Sequence, residues 1–252
     1  MKSNLVREFY KFRHQRIPLY GVIALLLLML YSAFDGTKVS RLTISQGFGA
    51  GQWIILILIT VGSTFVDMEY QNGTIVTLLY KNSNKVRIYI AKLMVINLYG
   101  VALLAFSMIF TMVFKVLLVG SQYSWGSIYD QRSLINDFSL NMLGSLIYMF
   151  FIVTLAFLLI SLVKANAAVV GIGLVIVFFG SYFSTLLLTT VPSLKAITAW
   201  NPFNMIFVIN QLSNSTYMKF TYLTSSQLII GNIAYTFLFV VLGYLLFKKR
   251  RV

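Results

Sequence analysis

Residues 140–163 read LNMLGSLIYMFFIVTLAFLLISLV, a run of 24 residues without Asp, Glu, Lys, Arg or His. A bilayer core about 30 Å thick is crossed by roughly 20 apolar residues of helix, so this run predicts a transmembrane helix. Five runs of similar character lie elsewhere in the chain: Ile17–Phe34, Phe48–Val66, Leu93–Phe114, Ala167–Thr190 and Leu228–Phe247. The runs are continuous and not alternating, which excludes the strands of a membrane barrel. The predicted fold class is an all-α polytopic membrane protein with six transmembrane helices.

None of the six predicted spans contains Asp, Glu, Lys, Arg or His. Ion-coupled carriers, proton pumps and intramembrane hydrolases usually need such groups at membrane depth. The spans take about half of the chain, which leaves no soluble catalytic domain. No G-x-x-x-x-G-K-[ST] phosphate-binding loop occurs either. We therefore expect no catalytic residue, cofactor or metal on this chain, and a function powered by another chain.

The formal net charge of +14 is distributed unevenly between the two sides of the predicted membrane. Counting outward from the N-terminus, fourteen of the 20 Lys and Arg residues fall on one side and six on the other. The positive-inside rule then places both termini in the cytoplasm, and the expected location is the bacterial plasma membrane, as a multi-pass protein. The charge is thus a topology signal and a contact for anionic lipids, and it does not indicate nucleic acid. The absence of cysteine excludes disulfides and thiolate sites.

Residues 2–16 form a basic segment ahead of the first span, which we call the elbow. Its apolar and basic side chains separate onto two faces at helical spacing, as in a helix lying in the membrane interface. The alternative is that these charges only set topology. Pro18 suits the first turn of the following span. The apolar face holds Leu5, Phe9 and Phe12, and the opposite face holds Arg7, Lys11 and His14.

Residues 67–92 form the richest predicted loop, on the cytoplasmic side. Asp67 and Glu69 come first, Gly73 then breaks the chain, and residues 74–79 are apolar enough for a short helix. Three basic residues follow: Lys81, Lys85 and Arg87. A plain connection needs none of these features, so the loop is interpreted as a docking surface.

Residues 191–227, which we call the outer segment, are long for so compact a chain. Pro192, Trp200, Asn201 and Pro202 interrupt the segment, and residues 203–209 are apolar but too short to span a bilayer. Such a stretch favours a re-entrant or interfacial element. A seventh crossing would place the basic C-terminal tail outside and violate the charge rule.

The loop at 65–92 resembles the second-span and first-cytoplasmic-loop pattern of type-2 ABC (ABC-2) exporter permeases. The residues that carry the resemblance are Phe65, Glu69, Gly73-Thr74-Ile75, Leu78-Leu79, Arg87 and Lys92. The elbow, the six spans and Asn201-Pro202-Phe203 fit the same layout. Many relatives have a proline in the turn before the arginine, where this chain has Lys81-Asn82-Ser83.

The resemblance implies a partner ATPase subunit that holds ATP and Mg, and a second permease copy or paralogue. The residues it places at the ATPase are Glu69, Tyr70, Gly73, Thr74, Leu78 and Arg87. The chain size is similar to that of bacteriocin and lantibiotic immunity permeases and of amphipathic-peptide exporters. We therefore expect the chain to export an amphipathic or hydrophobic substrate, namely a peptide. The expected role is toxin export or immunity to an antimicrobial peptide.

Three alternatives differ in class. The chain could export a drug or a lipid, or be a non-motor binding or sensor component, for which the long outer segment is the best feature. An intramembrane enzyme is disfavoured because His14 lies outside the spans and no span has a carboxylate pair.

Overall fold

The computed structural model describes residues 2–35, 39–73, 85–129, 132–163, 165–190 and 192–249. Six helices in these ranges are long and apolar enough to cross a membrane, which confirms the all-α polytopic fold class. The elbow forms α1 (Lys2–Arg13). The membrane helices are α2 (Ile17–Phe34), α4 (Ala50–Gln71), α5 (Lys85–Phe114), α6 (Leu134–Val163), α7 (Asn166–Thr190) and α11 (Ser225–Lys249).

Several helices extend beyond the predicted spans. The second span was expected to end at Val66, but α4 continues to Gln71, and α5 starts at Lys85 rather than Leu93. Much of the predicted cytoplasmic loop is therefore helix. Charged residues fit these added turns because helix ends lie outside the hydrocarbon core, where ionic groups are tolerated.

Short elements connect the long helices. Pro18 lies in the first turn of α2, as predicted. The helix α3 (Arg41–Ser45) leads into a tight turn in which Gly47 and Gly49 have positive φ, so the chain reverses into α4. A π-helical turn at Lys115–Val119 ends α5. Before α6, β1 (Ile128–Tyr129) pairs antiparallel with β2 (Arg132–Ser133).

Helices α4 and α6 form the centre of the bundle. Of their apolar windows, 67% and 56% are buried, against 22% for both α2 and α11. The peripheral helices expose large apolar side chains, as expected for helices facing lipid. Gly173 of α7 lies directly against Ile59 of α4, so a small residue permits this close crossing.

The outer segment folds into short turns that pack among the long helices. These are Pro192–Leu194, α8 (Lys195–Thr198), Pro202–Phe207, α9 (Val208–Gln211), Ser215–Tyr217 and α10 (Met218–Thr221). The backbone at Val208 and Ile209 lies against Gly144 of α6. Gly144 is roughly 15 Å along that helix at 1.5 Å per residue. The segment thus reaches between the helices, and its depth in a bilayer stays a prediction.

Candidate coupling site

Four charged side chains from three helices meet at one end of the bundle, and we call them the charge cluster: Glu8, Lys11, Glu69 and Lys92. The Lys92 Nζ lies 2.9 Å from Glu8 Oε2 and 2.9 Å from Glu69 Oε1. The Lys11 Nζ lies 2.9 Å from Glu8 Oε1 and 2.7 Å from Glu69 Oε1. Each lysine therefore bridges both glutamates, in a closed ring of alternating charge.

The local structure explains how these residues meet. Glu8 and Lys11 are three residues apart, so they are neighbours on the surface of α1. Glu69 lies in the last turn of α4, and Lys92 lies in the second turn of α5. These two helices flank the connection at 72–84. The ring therefore joins the elbow to both ends of that connection.

Burial makes the ring energetically important. The Glu8 and Lys92 side chains are each only 1% exposed, and that of Glu69 is 10% exposed. Removing a charge from such a site leaves its partners uncompensated, which typically costs about 3–5 kcal/mol. Lys92 also sits 4.3 Å from the centre of the Phe65 ring, and this cation–π contact closes the apolar side of the cluster.

The two elbow charges have shifted pKa values. Burial alone would raise the pKa of Glu8, but the positive charge of Lys92 and hydrogen bonds from both lysines outweigh it, so the pKa is lowered. Burial would lower the pKa of Lys11, but hydrogen bonds to Glu69 and Glu8 outweigh it, so the pKa is raised. Both groups are therefore held in their charged forms.

An aromatic cluster lies beside the same helix ends. Tyr70 of α4 contacts Phe247 of α11 edge-on, and the Phe247 ring centre is 5.5 Å from that of Tyr89 in α5. Tyr89 also packs edge-on against Phe157 of α6. The Tyr89 hydroxyl fits against Gly243, where a Cβ would collide with it. The end of α11 is thereby attached to the helices that carry the charge cluster.

The structure changes the interpretation of the predicted docking loop. Glu69 lies in α4, buried against α1, and not on an exposed loop surface. Lys92, interpreted as a topology charge, is fully buried. Asp67 is buried and accepts a hydrogen bond from Gln71 of its own helix. Gly73 has a left-handed φ of 65° just after α4. The predicted short helix at 74–79, with Thr74 and Leu78, lies outside the described residues, whereas Arg87 is exposed in the first turn of α5.

The elbow forms a helix, and its position in the membrane interface stays a prediction. The helix ends at Arg13, and Phe12 is buried while Leu5 is half-buried. Phe9 is 46% exposed, so the three side chains of the predicted apolar face differ in burial. Lys11 points toward the bundle rather than away from it, because two glutamates attract it there. Arg7 is half-buried, with its Nε 3.9 Å from Glu8.

The outer segment is held by carboxamide side chains. Asn201 caps the turn that Pro202 begins, accepting a hydrogen bond from the backbone N–H of Asn204. Asn204 is fully buried and accepts from Ser184 of α7. The carbonyl of Trp200 accepts from Tyr235 of α11. Pro192 begins the first short turn of the segment.

Sequence reasoning missed Glu8 and Asn204. Glu8 was passed over because a single acid in a basic segment gives no sign of burial. Its spacing to Lys11 was the one available signal, since i,i+3 pairs are adjacent on a helix. Within the described ranges, no group of three His, Cys, Asp or Glu could hold a metal ion.

The bundle defines a multi-pass α-helical membrane protein. Residues 5–180 match the family described as "ABC-2 family transporter protein". This match covers more than half of the chain, so the chain belongs to the ABC-2 family of transporter permeases, as the resemblance predicted. No curated protein matched the chain. The similarity to immunity permeases in particular stays a prediction.

Proposed function

We propose that this chain is the permease subunit of an ATP-driven exporter, with ATP and Mg bound by a separate cytoplasmic ATPase. The observation that carries the proposal is the charge cluster, which ties the elbow to both helices flanking the 72–84 connection. Family membership supports the class of transporter.

The geometry suits a mechanical role. A partner pressing on the 72–84 connection would move the end of α4 and the start of α5. Because Lys92 and Lys11 both bridge Glu8 and Glu69, α1 would move with them. Packed, hydrogen-bonded elements of this kind carry coupling between distant sites when they have two arrangements. Glu69 is thus proposed to transmit motion from inside the bundle, with Tyr70, Gly73, Thr74, Leu78 and Arg87 closer to the ATPase.

The proposed arrangement in the membrane follows the charges. Both termini lie in the cytoplasm, because most basic residues, the C-terminal tail included, belong to that side. The outer segment is re-entrant from the opposite side. Two permease copies, or this chain and a paralogue, enclose the transport path, and the peripheral helices face lipid or the second copy.

The proposed substrate is an amphipathic or hydrophobic molecule, namely a peptide. The proposed role is toxin export or immunity to an antimicrobial peptide. The membrane helices offer aromatic, hydroxyl and amide groups and few charges, which suits a molecule with apolar and neutral polar parts. Such a surface also suits a hydrophobic drug or a lipid, so the assay must separate the three.

The test is reconstitution of the permease with its partner ATPase. Proteoliposomes are loaded with a labelled amphipathic peptide, a lipophilic dye or a labelled phospholipid. We expect movement of the peptide that needs ATP, survives an ionophore and stops when the ATPase lacks its catalytic carboxylate. Movement that stops with the ionophore and persists with the inactive ATPase would overturn the proposal. Movement of only the dye or the lipid would reject the peptide assignment alone.

A further inference from the structure

A cavity of about 290 Å³ lies where the starts of α4 and α6, the second half of α7 and the outer segment meet. At about 30 Å³ per water, this volume equals that of roughly ten water molecules. It accommodates a small molecule or a short part of a longer one. The cavity is separate from the charge cluster, because it lies at the start of α4 whereas Glu69 lies in the last turn of that helix.

The polar part of its wall consists of side-chain amides and hydroxyls. Gln52 comes from α4, Asn141 from α6, Ser181 from α7 and Asn210 from the outer segment. The apolar part includes Phe178 of α7, Phe207 and neighbouring aliphatic side chains. No charged residue of the described ranges lines it. An ion entering the cavity would lose hydration without gaining a counter-charge, which is unfavourable.

Asn141 supplies an independent indication that the cavity is a binding site. Its Nδ2 donates to the carbonyl of Ile209 and to Asn210 Oδ1, at 3.0 Å in both cases. Its Oδ1 is buried and accepts no hydrogen bond from the described residues, and the residue lies on the cavity wall. A buried polar atom without a partner is unfavourable, and an N–H donor placed in the cavity would satisfy it.

Two other cavities have linings of a different chemistry. One, of about 770 Å³, surrounds Arg41 and Asp137, which already pair with each other at 2.9 Å. Another, of about 500 Å³, is lined almost entirely by apolar side chains beside Trp200 and α11.

We propose that the amide-lined cavity binds an uncharged amide or hydroxyl group flanked by an apolar or aromatic side. A peptide backbone unit with an aromatic or aliphatic side chain has this chemistry. The amide of Asn210 binds its polar edge, Asn141 Oδ1 accepts an N–H, and Phe178 and Phe207 pack on its apolar side. This inference rests on the proposed function, since it names the substrate class of the permease.

The test uses the absence of cysteine, so that each introduced thiol is unique. Ser181→Cys and Gln52→Cys report on the cavity from two helices. Tyr182→Cys is the matched control, because it is adjacent to Ser181 but points to the outside of the bundle, where Tyr182 is 63% exposed. Full-length protein in lipid nanodiscs is alkylated with N-ethylmaleimide, and the rate is followed by mass spectrometry.

Two probes differ in a single group. N-acetylphenylalaninamide is neutral, whereas N-acetylphenylalanine carries a carboxylate at neutral pH. At about ten times its half-protecting concentration, we expect the amide to slow alkylation of Ser181→Cys and Gln52→Cys by about tenfold. The acid should leave both rates within about twofold, because the cavity offers no cation. The Tyr182→Cys rate should not change with either probe.

Protection of Gln52→Cys by the amide suffices if Ser181→Cys fails to fold. Equal protection by the acid, equal protection of Tyr182→Cys, or no protection at a reporter that folds would overturn the inference. The assay contains no ATP and no ATPase. A negative result beside ATP-dependent peptide transport would therefore reject this binding site and leave the proposed function standing.

Discussion

Replacing Lys92 by Met is the sharpest perturbation of the charge cluster. Met keeps the length and apolar stem of the side chain and removes only the charge, which lies 2.9 Å from both carboxylates. Of the two bridging lysines, Lys11 then remains, and its side chain is 35% exposed.

The expected cost follows from burial. Breaking a buried charge pair costs about 3–5 kcal/mol, and because Lys11 still contacts both glutamates we expect the lower end, about 3 kcal/mol. At 1.4 kcal/mol per tenfold, this makes detachment of α1 about 100-fold more frequent.

Amide hydrogen exchange of the α1 backbone in nanodiscs measures this detachment directly, since exchange reports local opening. Protection of α1 should fall by about 100-fold in Lys92→Met. Lys85→Met is the matched control on the same helix. The Lys85 ammonium donates to the carbonyl of Lys248 on an exposed surface, so its loss should change α1 protection little.

Adding Glu8→Gln to Lys92→Met should recover most of the protection. The double variant retains one lysine and one glutamate, so no carboxylate is left without a partner. If the amides of α1 are as well protected from exchange in Lys92→Met as in Lys85→Met, the cluster does not hold the elbow and the reasoning is refuted.

Three further predictions address other parts of the fold. Gly144→Ala should lower the free energy of unfolding of the purified protein by about 1–3 kcal/mol, because the new Cβ would collide with outer-segment backbone. Gly171→Ala should be neutral, because the described residues place no atom within 4 Å of a Cβ there. Equal effects of the two variants would contradict the packing. Asn201→Ala should remove a helix cap worth about 1 kcal/mol and raise the rate of proteolysis in the outer segment, and an unchanged rate would exclude a capping role. The spin-label distance between α1 and α5 should stay constant from pH 4.5 to 10.5. Because the pKa of Glu8 is lowered, Glu8 loses its stabilising contribution to the charge cluster only below pH 4.5. Because the pKa of Lys11 is raised, Lys11 loses its contribution only above pH 10.5. A change in that distance near neutral pH would contradict the shifts.

The membrane helices were predictable because a bilayer requires long apolar helices, and this requirement appears directly in the sequence. Their arrangement was not predictable in the same way. Lipid and protein interior are equally apolar, so nothing in the composition of α6 marks it as central or that of α11 as peripheral.

The candidate site shows the same limit. Gly73 and Glu69 stood out in the sequence because a break and a charge follow an apolar run. Their surroundings could not be predicted, since Glu8 and Lys92 are 84 residues apart and meet only after α1 folds back onto α4 and α5. Isolated charges at helix ends were therefore interpreted as solvent-facing, whereas mutual pairing allows them to be buried.

The central claim is that ATP-driven motion passes through the charge cluster, and the most direct measurement is the amount of peptide moved per ATP hydrolysed in proteoliposomes. Glu69→Gln keeps the shape of the side chain and weakens its contacts with Lys11 and Lys92. The account predicts that ATP hydrolysis continues while this ratio falls by about fivefold or more, the loss of a coupling free energy of roughly 1 kcal/mol. An unchanged ratio in Glu69→Gln, with normal transport, would contradict it.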